Sequence, residues 1–123
     1  MIQRHKQASL AHTLREVANQ GDFEAVVLVG DEGLPLAIGS STYSAETVAA
    51  MVTLVKGLVE QTQAELGLGT VDEVSIAAEG RVQLVCRYFS VAHEKLTLAL
   101  IAPLDQSYRR LTSKAIKEIK AIL

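Results

Sequence analysis

The chain is poor in several residue types, and each shortage excludes some classes of protein. Its 123 residues include one cysteine, two prolines and no tryptophan, and aromatic residues make up 4%. A lone cysteine, Cys86, excludes an internal disulfide and is typical of reducing compartments. No apolar run reaches the roughly 20 residues of a membrane-spanning helix, and no basic start with an apolar core marks a secretory signal. We therefore expect a cytoplasmic protein without membrane insertion.

Aliphatic residues, by contrast, are abundant. Hydrophobic residues make up 49% of the sequence, which at this length can form a compact core without metal or disulfide support. No linker, internal repeat or low-complexity segment divides the chain. Residues 1–123 are therefore predicted to form a single domain.

The charges are unevenly distributed along the sequence. Positions 21–80 hold ten acidic residues and one basic residue, whereas the segments on either side carry a net positive charge. The basic residues near the end of the chain could bind nucleic acid or an anionic membrane. Their spacing with Glu118 also fits a solvated, ion-paired helix face. We favour the solvated face and expect no nucleic-acid partner.

The stretch 44–66 is predicted to be a long helix with more apolar surface than one core needs. Its expected core stripe comprises Val48, Met51, Val52, Val55, Leu58, Val59, Thr62 and Leu66. A second row, about a third of a turn away, comprises Ala50, Leu54, Gly57 and Gln61. Glycine costs a helix about 1 kcal/mol relative to alanine, so Gly57 indicates the close approach of another backbone. We expect another protein surface to cover this second row.

Apolar patterns elsewhere predict two more helices and five strands. The helices lie at 4–19 and from Leu104 to Ile122, and the strands at 23–30, 34–39, 73–78, 82–88 and 96–102, with a loop at 90–93. The second strand should bury Leu34, Leu36 and Ile38, and Pro35 places it at a sheet edge. This order predicts an α/β (α+β) sandwich, a five-stranded, largely antiparallel sheet with helices on both faces. If the terminal helices share one face, that face is basic and the other acidic.

The first predicted hairpin resembles that of the Roadblock family. Residues 29–37, Val-Gly-Asp-Glu-Gly-Leu-Pro-Leu-Ala, match its acidic-x-Gly-Leu-Pro-Leu turn, and the element order agrees over nearly the whole chain. The family includes dynein light chains and bacterial regulators of Ras-like GTPases, among them the mutual-gliding-motility B proteins. The resemblance implies a profilin-like sheet of order 2-1-5-4-3. It also implies a homodimer that pairs strand 3 and the central helix with their twins, giving a platform for the GTPase.

The expected function is therefore that of a noncatalytic homodimeric binding module that regulates a small Ras-like GTPase, by activating hydrolysis or by scaffolding. The predicted contacts are Ala50, Thr53, Leu54, Gly57 and Gln61, with Glu46 and Glu60 as an acidic rim. Strand 3 has no proline or lysine to block edge pairing. Its predicted interface residues are Glu73, Ser75 and Ala77.

No motif indicates catalysis, a metal or a cofactor. Cys86 is expected to be a buried hydrophobe, and the three histidines lack the spacing of metal ligands. The hydroxyl run 40–44 fits helix capping, and Gly-Leu-Gly at 67–69 follows a helix, unlike a dinucleotide fingerprint. Arg81 and Arg87 could act as arginine fingers, but solvated strand arginines are commoner, and we expect both to be solvated. We expect no enzyme activity and no cofactor.

An alternative function is that of a small-molecule sensor, because profilin-like folds also host ligands. This function requires a pocket between sheet and helix, lined by a few convergent polar groups. The predicted fourth and fifth strands offer few inward polar residues, which counts against it.

Overall fold

A computed structural model describes residues 3–123 as three helices and five strands. The elements are α1 (Arg4–Gly21), β1 (Ala25–Val29), β2 (Pro35–Ser41), α2 (Ala45–Leu66), β3 (Glu73–Ala77), β4 (Val82–Val91), β5 (Glu94–Pro103) and α3 (Arg109–Ile122). The strands form one antiparallel sheet of order β2-β1-β5-β4-β3. The predicted fold class, element order and edge position of Pro35 are confirmed.

The helices divide between the two faces of the sheet. Helices α1 and α3 pack against each other on one face, and α2 alone lies on the other. All five residues of β1 are buried because this strand has helices on both sides. The division confirms the prediction from the continuous apolar run, and it separates the basic terminal helices from acidic α2.

The face covered by α1 and α3 holds the larger core. Leu10 and Leu14 of α1 and Ile119 of α3 are fully buried there against Leu98 of β5. The backbone of α1 lies directly on β2, because a Cβ atom at Gly39 would overlap the backbone of Leu14. Only glycine allows this contact. Helix α1 is therefore seated on the sheet without an intervening layer of side chains at that point.

The predicted core stripe of α2 is wrong over much of its length. Val48 and Val52 are buried as expected, but Met51, Leu58 and Leu66 are 48%, 64% and 69% exposed. The buried residues of the helix all lie between Ala45 and Val52. Only the first two turns of α2 therefore pack tightly on the sheet, and the later turns leave Val55 and Val59 half-buried and Leu58 and Leu66 exposed.

Three other local predictions are wrong. In β2 the buried residue is Ala37, while Leu34 and Ile38 are exposed, because irregularities in the β1–β2 pairing break the alternation. The predicted loop at 90–93 is the end of a hairpin whose two turn residues, Ala92 and His93, both have positive φ. Leu104 precedes α3 instead of forming part of its stripe.

Candidate functional site

Helix α2 has well-defined ends. The Ser44 hydroxyl accepts a hydrogen bond from the backbone N–H of Thr47 at 3.3 Å, and Glu46 lies in the positive first turn. At the other end Gly67 adopts the left-handed conformation that stops a helix. The helix is therefore held at its start by capping and core packing, while its later turns extend beside the sheet.

An apolar surface runs along these later turns toward β3. It comprises Met51, Leu54, Leu58 and Leu66 of α2 and Ile76 of β3, all between 47% and 69% exposed; we call it the open flank. Leu58 and Ile76 of the open flank also line a groove of about 320 Å³ between α2 and β3, together with Val55, Val59, Thr62, Val71 and Val74. Exposed apolar side chains around a groove are typical of interaction sites.

The predicted contact residues on α2 are all exposed. Ala50, Thr53, Leu54, Gly57 and Gln61, which we call the outer row, adjoin the open flank and share Leu54 with it, and Glu46 and Glu60 are also exposed. A Cβ atom added at Gly57 would meet no atom of another side chain or element within 4 Å. The described chain therefore does not itself make the close contact that Gly57 permits.

The β1–β2 turn adjoins the outer row, which sequence reasoning did not anticipate. Gly33 has φ of +85°, and a Cβ atom there would lie 2.9 Å from the Thr53 hydroxyl. Asp31 of the same turn forms an ion pair with Lys56 of α2. Hydrogen bonding and charge attraction from Lys56 lower the pKa of Asp31. The turn is thereby tied to α2 and exposes Leu34 beside it.

Strand β3 forms one edge of the sheet and pairs only with β4 among the described elements. Ser75 and Ala77 are exposed, as expected for interface residues. The side chain of Glu73 is different because it is 13% exposed and points toward α3. Glu73 can therefore contribute its backbone to pairing at this edge, while its carboxylate is occupied elsewhere.

A polar cluster around Glu73 joins β3 and β4 to α3. Tyr108 donates a 2.6 Å hydrogen bond to Glu73 Oε2, and Arg109 lies 3.2 Å from the same oxygen. Arg87 Nε lies 3.5 Å from Glu73 Oε1, an ion pair without hydrogen-bond alignment. The hydrogen bond to Glu73 raises the pKa of Tyr108. The cluster fixes β3, the outermost strand, to a helix on the well-covered face.

Arg87 is not the solvated strand arginine that the sequence suggested. Its side chain is 14% exposed and donates 2.8 Å hydrogen bonds to the hydroxyls of Thr112 and Ser113. These contacts hold the guanidinium inside the molecule. Arg81 is exposed in the β3–β4 turn, with φ of 70°.

Cys86 is buried on the α2 face, as predicted, and is 1% exposed. Burial raises the pKa of its thiol to about 11, so the reactive thiolate is scarce at neutral pH. Within residues 3–123, no group of three or more His, Cys, Asp and Glu side chains could hold a metal ion. No helix among these residues is both long and apolar enough to cross a bilayer.

Comparison with solved structures gives strong matches over nearly the whole chain. Myxococcus xanthus MglB superposes with a TM-score of 0.83 at 14% identity, covering 99% of this chain and 92% of that one. An MglB with a tetrameric arrangement gives 0.76 at 21% identity, covering 99% and 93%. A Roadblock/LC7 domain from Streptomyces avermitilis gives 0.71 at 18% identity, covering 89% and 91%.

Sequence comparisons add nothing to these matches. No protein-family model and no curated protein matches the chain. The structural neighbours share the five-stranded sheet, the three helices and nearly the full length of this chain. The chain therefore has the Roadblock fold expected from its first hairpin.

Proposed function

We propose that the chain is a noncatalytic, homodimeric binding module that docks and regulates a small Ras-like GTPase. The observation that carries this proposal is the open flank, an apolar surface beside the unpaired edge of β3. The resemblance of the first hairpin to Roadblock proteins and the structural match to MglB support the same reading.

The proposed dimer joins two copies through α2 and β3. A two-fold axis along this side would place the open flank of one copy against that of its partner and β3 beside its twin. The edge strand supplies unpaired backbone groups, and the groove beside it supplies apolar area. Both features lie on the same side of α2, which favours a second copy of this chain as the occupant.

The area required for such a dimer is modest. A stable interface buries about 800 Å² on each partner, and the accessible surface of the chain is 7424 Å². The interface would therefore take roughly a tenth of the surface of each copy. The MglB structure with a tetrameric arrangement shows assembly of a protein of the same fold, which supports self-association here.

The proposed GTPase site is the outer row of the two paired helices. Small side chains at Ala50 and Gly57 permit close approach, and Glu46 and Glu60 border them with negative charge. The exposed Leu34 of the neighbouring turn extends the apolar part of this platform. A basic GTPase surface fits this rim, whose charges act mainly on association rate and orientation.

Self-association is tested with Leu58→Glu, which puts a charge into the groove. The expected product is a folded monomer, with native circular dichroism and half the mass by light scattering. Leu104→Glu is the matched control, because Leu104 is also exposed but lies outside the groove, and it should remain dimeric. A Leu58→Glu protein that stays dimeric, or a wild-type chain that is monomeric, would contradict the proposed seam.

GTPase regulation is tested by measuring GTP hydrolysis and binding by a Ras-like GTPase encoded in the same operon, with and without this protein. Gly57→Arg should abolish the effect while the dimer persists, because it places a large cation on the docking row. Ala8→Arg, at an exposed position of α1, is the control and should behave as wild type does. No change in binding or hydrolysis with the wild-type protein would remove the GTPase from the proposal.

A further inference from the structure

The outer side of α3 carries a row of positive charges. Helices α1 and α3 lie side by side on one face of the sheet, and the buried residues of α3 point toward that core. On the opposite side of the helix, Arg110, Lys114 and Lys117 recur at spacings of four and three and are exposed. Lys120, also exposed, lies beside them. We call these four residues the basic row.

No carboxylate within residues 3–123 neutralises the basic row. In this part of the chain the ion pair of α3 is made by Arg109 with Glu73, and none of the four residues of the row takes part in one. Glu118 pairs with neither Lys114 nor Lys117, so the ion pairing that the sequence suggested is not formed. The row is solvated, as expected, but its positive charge is left uncompensated.

The positive charge extends over both helices of this face. Helices α1 and α3 together hold eight lysines and arginines and two glutamates, a net charge of +6, whereas the rest of the chain, with four basic and twelve acidic residues, has a net charge of −8. Arg4 and Arg15 of α1 are exposed like the basic row. Clustered charges of one sign attract partners of the other sign. The face therefore fits a negatively charged partner.

The chemistry of this face favours a diffuse anionic surface over a protein or a nucleic acid. Protein interfaces are centred on apolar and aromatic anchors and contain few lysines, whereas three of the four residues of the basic row are lysines. Neither helix contains an aromatic residue on which unpaired bases could stack. Helix α3 packs beside α1, instead of protruding alone into the groove of a duplex. Lipid headgroups, by contrast, present dispersed negative charge to lysine side chains.

We propose that the basic row, with the exposed arginines of α1, binds the protein to the surface of a bilayer rich in anionic phospholipids. The contact is adsorption to the headgroups, since the row offers no apolar side chain for insertion. In the proposed dimer both copies would present this face on the side opposite the paired α2 helices, so that a bound GTPase would face away from the membrane. Each copy has the complete row, and membrane binding therefore requires neither the dimer nor a GTPase.

The test uses the purified full chain and sedimented vesicles of phosphatidylcholine, with and without about one third of phosphatidylglycerol. At about 0.1 M salt the chain should bind the anionic vesicles but not the neutral ones. It should be released as salt rises toward about 1 M, where charges are screened beyond about 3 Å. No binding to anionic vesicles, or equal binding to neutral ones, would overturn the proposal.

Charge-removing variants locate the contact. A lysine near an anionic surface strengthens binding about fivefold, so Lys117→Gln should weaken vesicle binding about fivefold and the double variant with Lys114→Gln about 25-fold. Lys95→Gln is the matched control, because Lys95 is also exposed but lies on β5, outside both helices, and it should bind as wild type does. Native circular dichroism checks that each variant is folded. Unchanged binding by the double variant, or an equal loss in Lys95→Gln, would contradict the assignment to the basic row.

Two other polyanions test the choice of partner. A short DNA duplex represents a nucleic acid, and polyglutamate represents an acidic protein surface. At equal salt and equal concentrations of negative charge, both should bind the chain more weakly than the anionic vesicles do. Tighter binding of either polyanion would assign the basic row to that class of partner and overturn the membrane proposal.

Discussion

The two faces of the sheet differ in how completely they are covered. On one face two helices bury a continuous core, with Leu10, Leu14 and Ile119 fully enclosed. On the other face a single helix buries side chains only between Ala45 and Val52. The later turns of α2 there expose the open flank on one side and line a polar cavity on the other.

This difference indicates a division of labour within a small protein. The two-helix face buries most of the apolar core, so it should carry most of the free energy of unfolding. The one-helix face retains surface that the chain itself cannot cover. Substitutions on the two faces test whether stability is divided in this way.

The largest contrast is expected between two leucines on opposite faces. Leu14→Ala should lower the free energy of unfolding by about 2–5 kcal/mol because Leu14 is fully buried. Leu58→Ala should change it by no more than about 0.5 kcal/mol, since Leu58 is 64% exposed. Denaturant titrations at concentrations where the protein is monomeric give both values. Equal losses of unfolding free energy for the two variants would show that the two faces contribute equally to stability.

The second prediction concerns pH on the one-helix face. Cys86 keeps its proton up to a pKa of about 11 in the folded chain, against an ordinary value of 9.0. The protonated thiol makes its full contribution to the free energy of unfolding below pH 9. About 2–3 kcal/mol of that free energy is lost as the pH rises to 11. Cys86→Ala should therefore reduce the fall in the free energy of unfolding between pH 9 and 11, which denaturant unfolding measures.

Part of the alkaline loss should persist in Cys86→Ala. The pKa values of Tyr88 and Tyr108 are also raised, by burial and by hydrogen bonding to Glu73 respectively. Because both tyrosines ionise more easily in the unfolded chain, the free energy of unfolding falls as pH rises above about 10. A variant with the same steep loss as wild type between pH 9 and 10 would contradict the assignment to the Cys86 thiol.

The third prediction concerns the polar cluster on the two-helix face. Glu73→Gln removes the negative charge beside Arg87, whose side chain is only 14% exposed, and should cost about 1–3 kcal/mol. The pKa of Tyr108 should fall toward its ordinary value, which ultraviolet titration of the tyrosines can follow. Glu79→Gln, at an exposed position, is the control. An unchanged midpoint of denaturant unfolding for Glu73→Gln would show that the cluster does not stabilise β3.

The smallest effect, and one of opposite sign, is expected at Gly57. Gly57→Ala should stabilise the isolated chain by up to about 1 kcal/mol, because alanine favours a helix and the added Cβ meets nothing. Gly39→Ala is the contrast, since its Cβ would overlap the backbone of Leu14, and it should destabilise. Thermal unfolding compares the two. A destabilised Gly57→Ala monomer would mean that α2 packs more closely than described.

The sequence predicted the elements whose burial is simple. Continuous apolar residues identified β1 as an interior strand covered on both faces, and Ser44 and Gly67 correctly bounded α2. The first hairpin indicated the strand order through its resemblance to Roadblock proteins. Local patterns of this kind depend on neighbouring residues, and therefore survive without knowledge of the tertiary packing.

Features that depend on distant packing were missed. The spacing of Met51 and Leu58 fits a core stripe, but spacing alone does not show where a helix leaves its sheet. The contact between Arg87 and Thr112 spans 25 positions, and no local pattern identifies it. The polar cavity likewise depends on how α2 passes over the β4–β5 hairpin. Among the predicted interface residues, Ser75 lies on the exposed edge strand as the sequence indicated. The sequence did not reveal that the side chain of Glu73 points inward, toward Tyr108.

The separation of charge between the two faces has a consequence in bulk solution. One side of each molecule carries the lysines and arginines of α1 and α3, and the other carries the glutamates of α2. Such a separation of charge across the sheet should attract copies of the chain head to tail, in an arrangement that does not close on itself. In dilute buffer this attraction favours reversible stacks and turbidity, which ordinary salt disperses because it screens charge beyond about 10 Å.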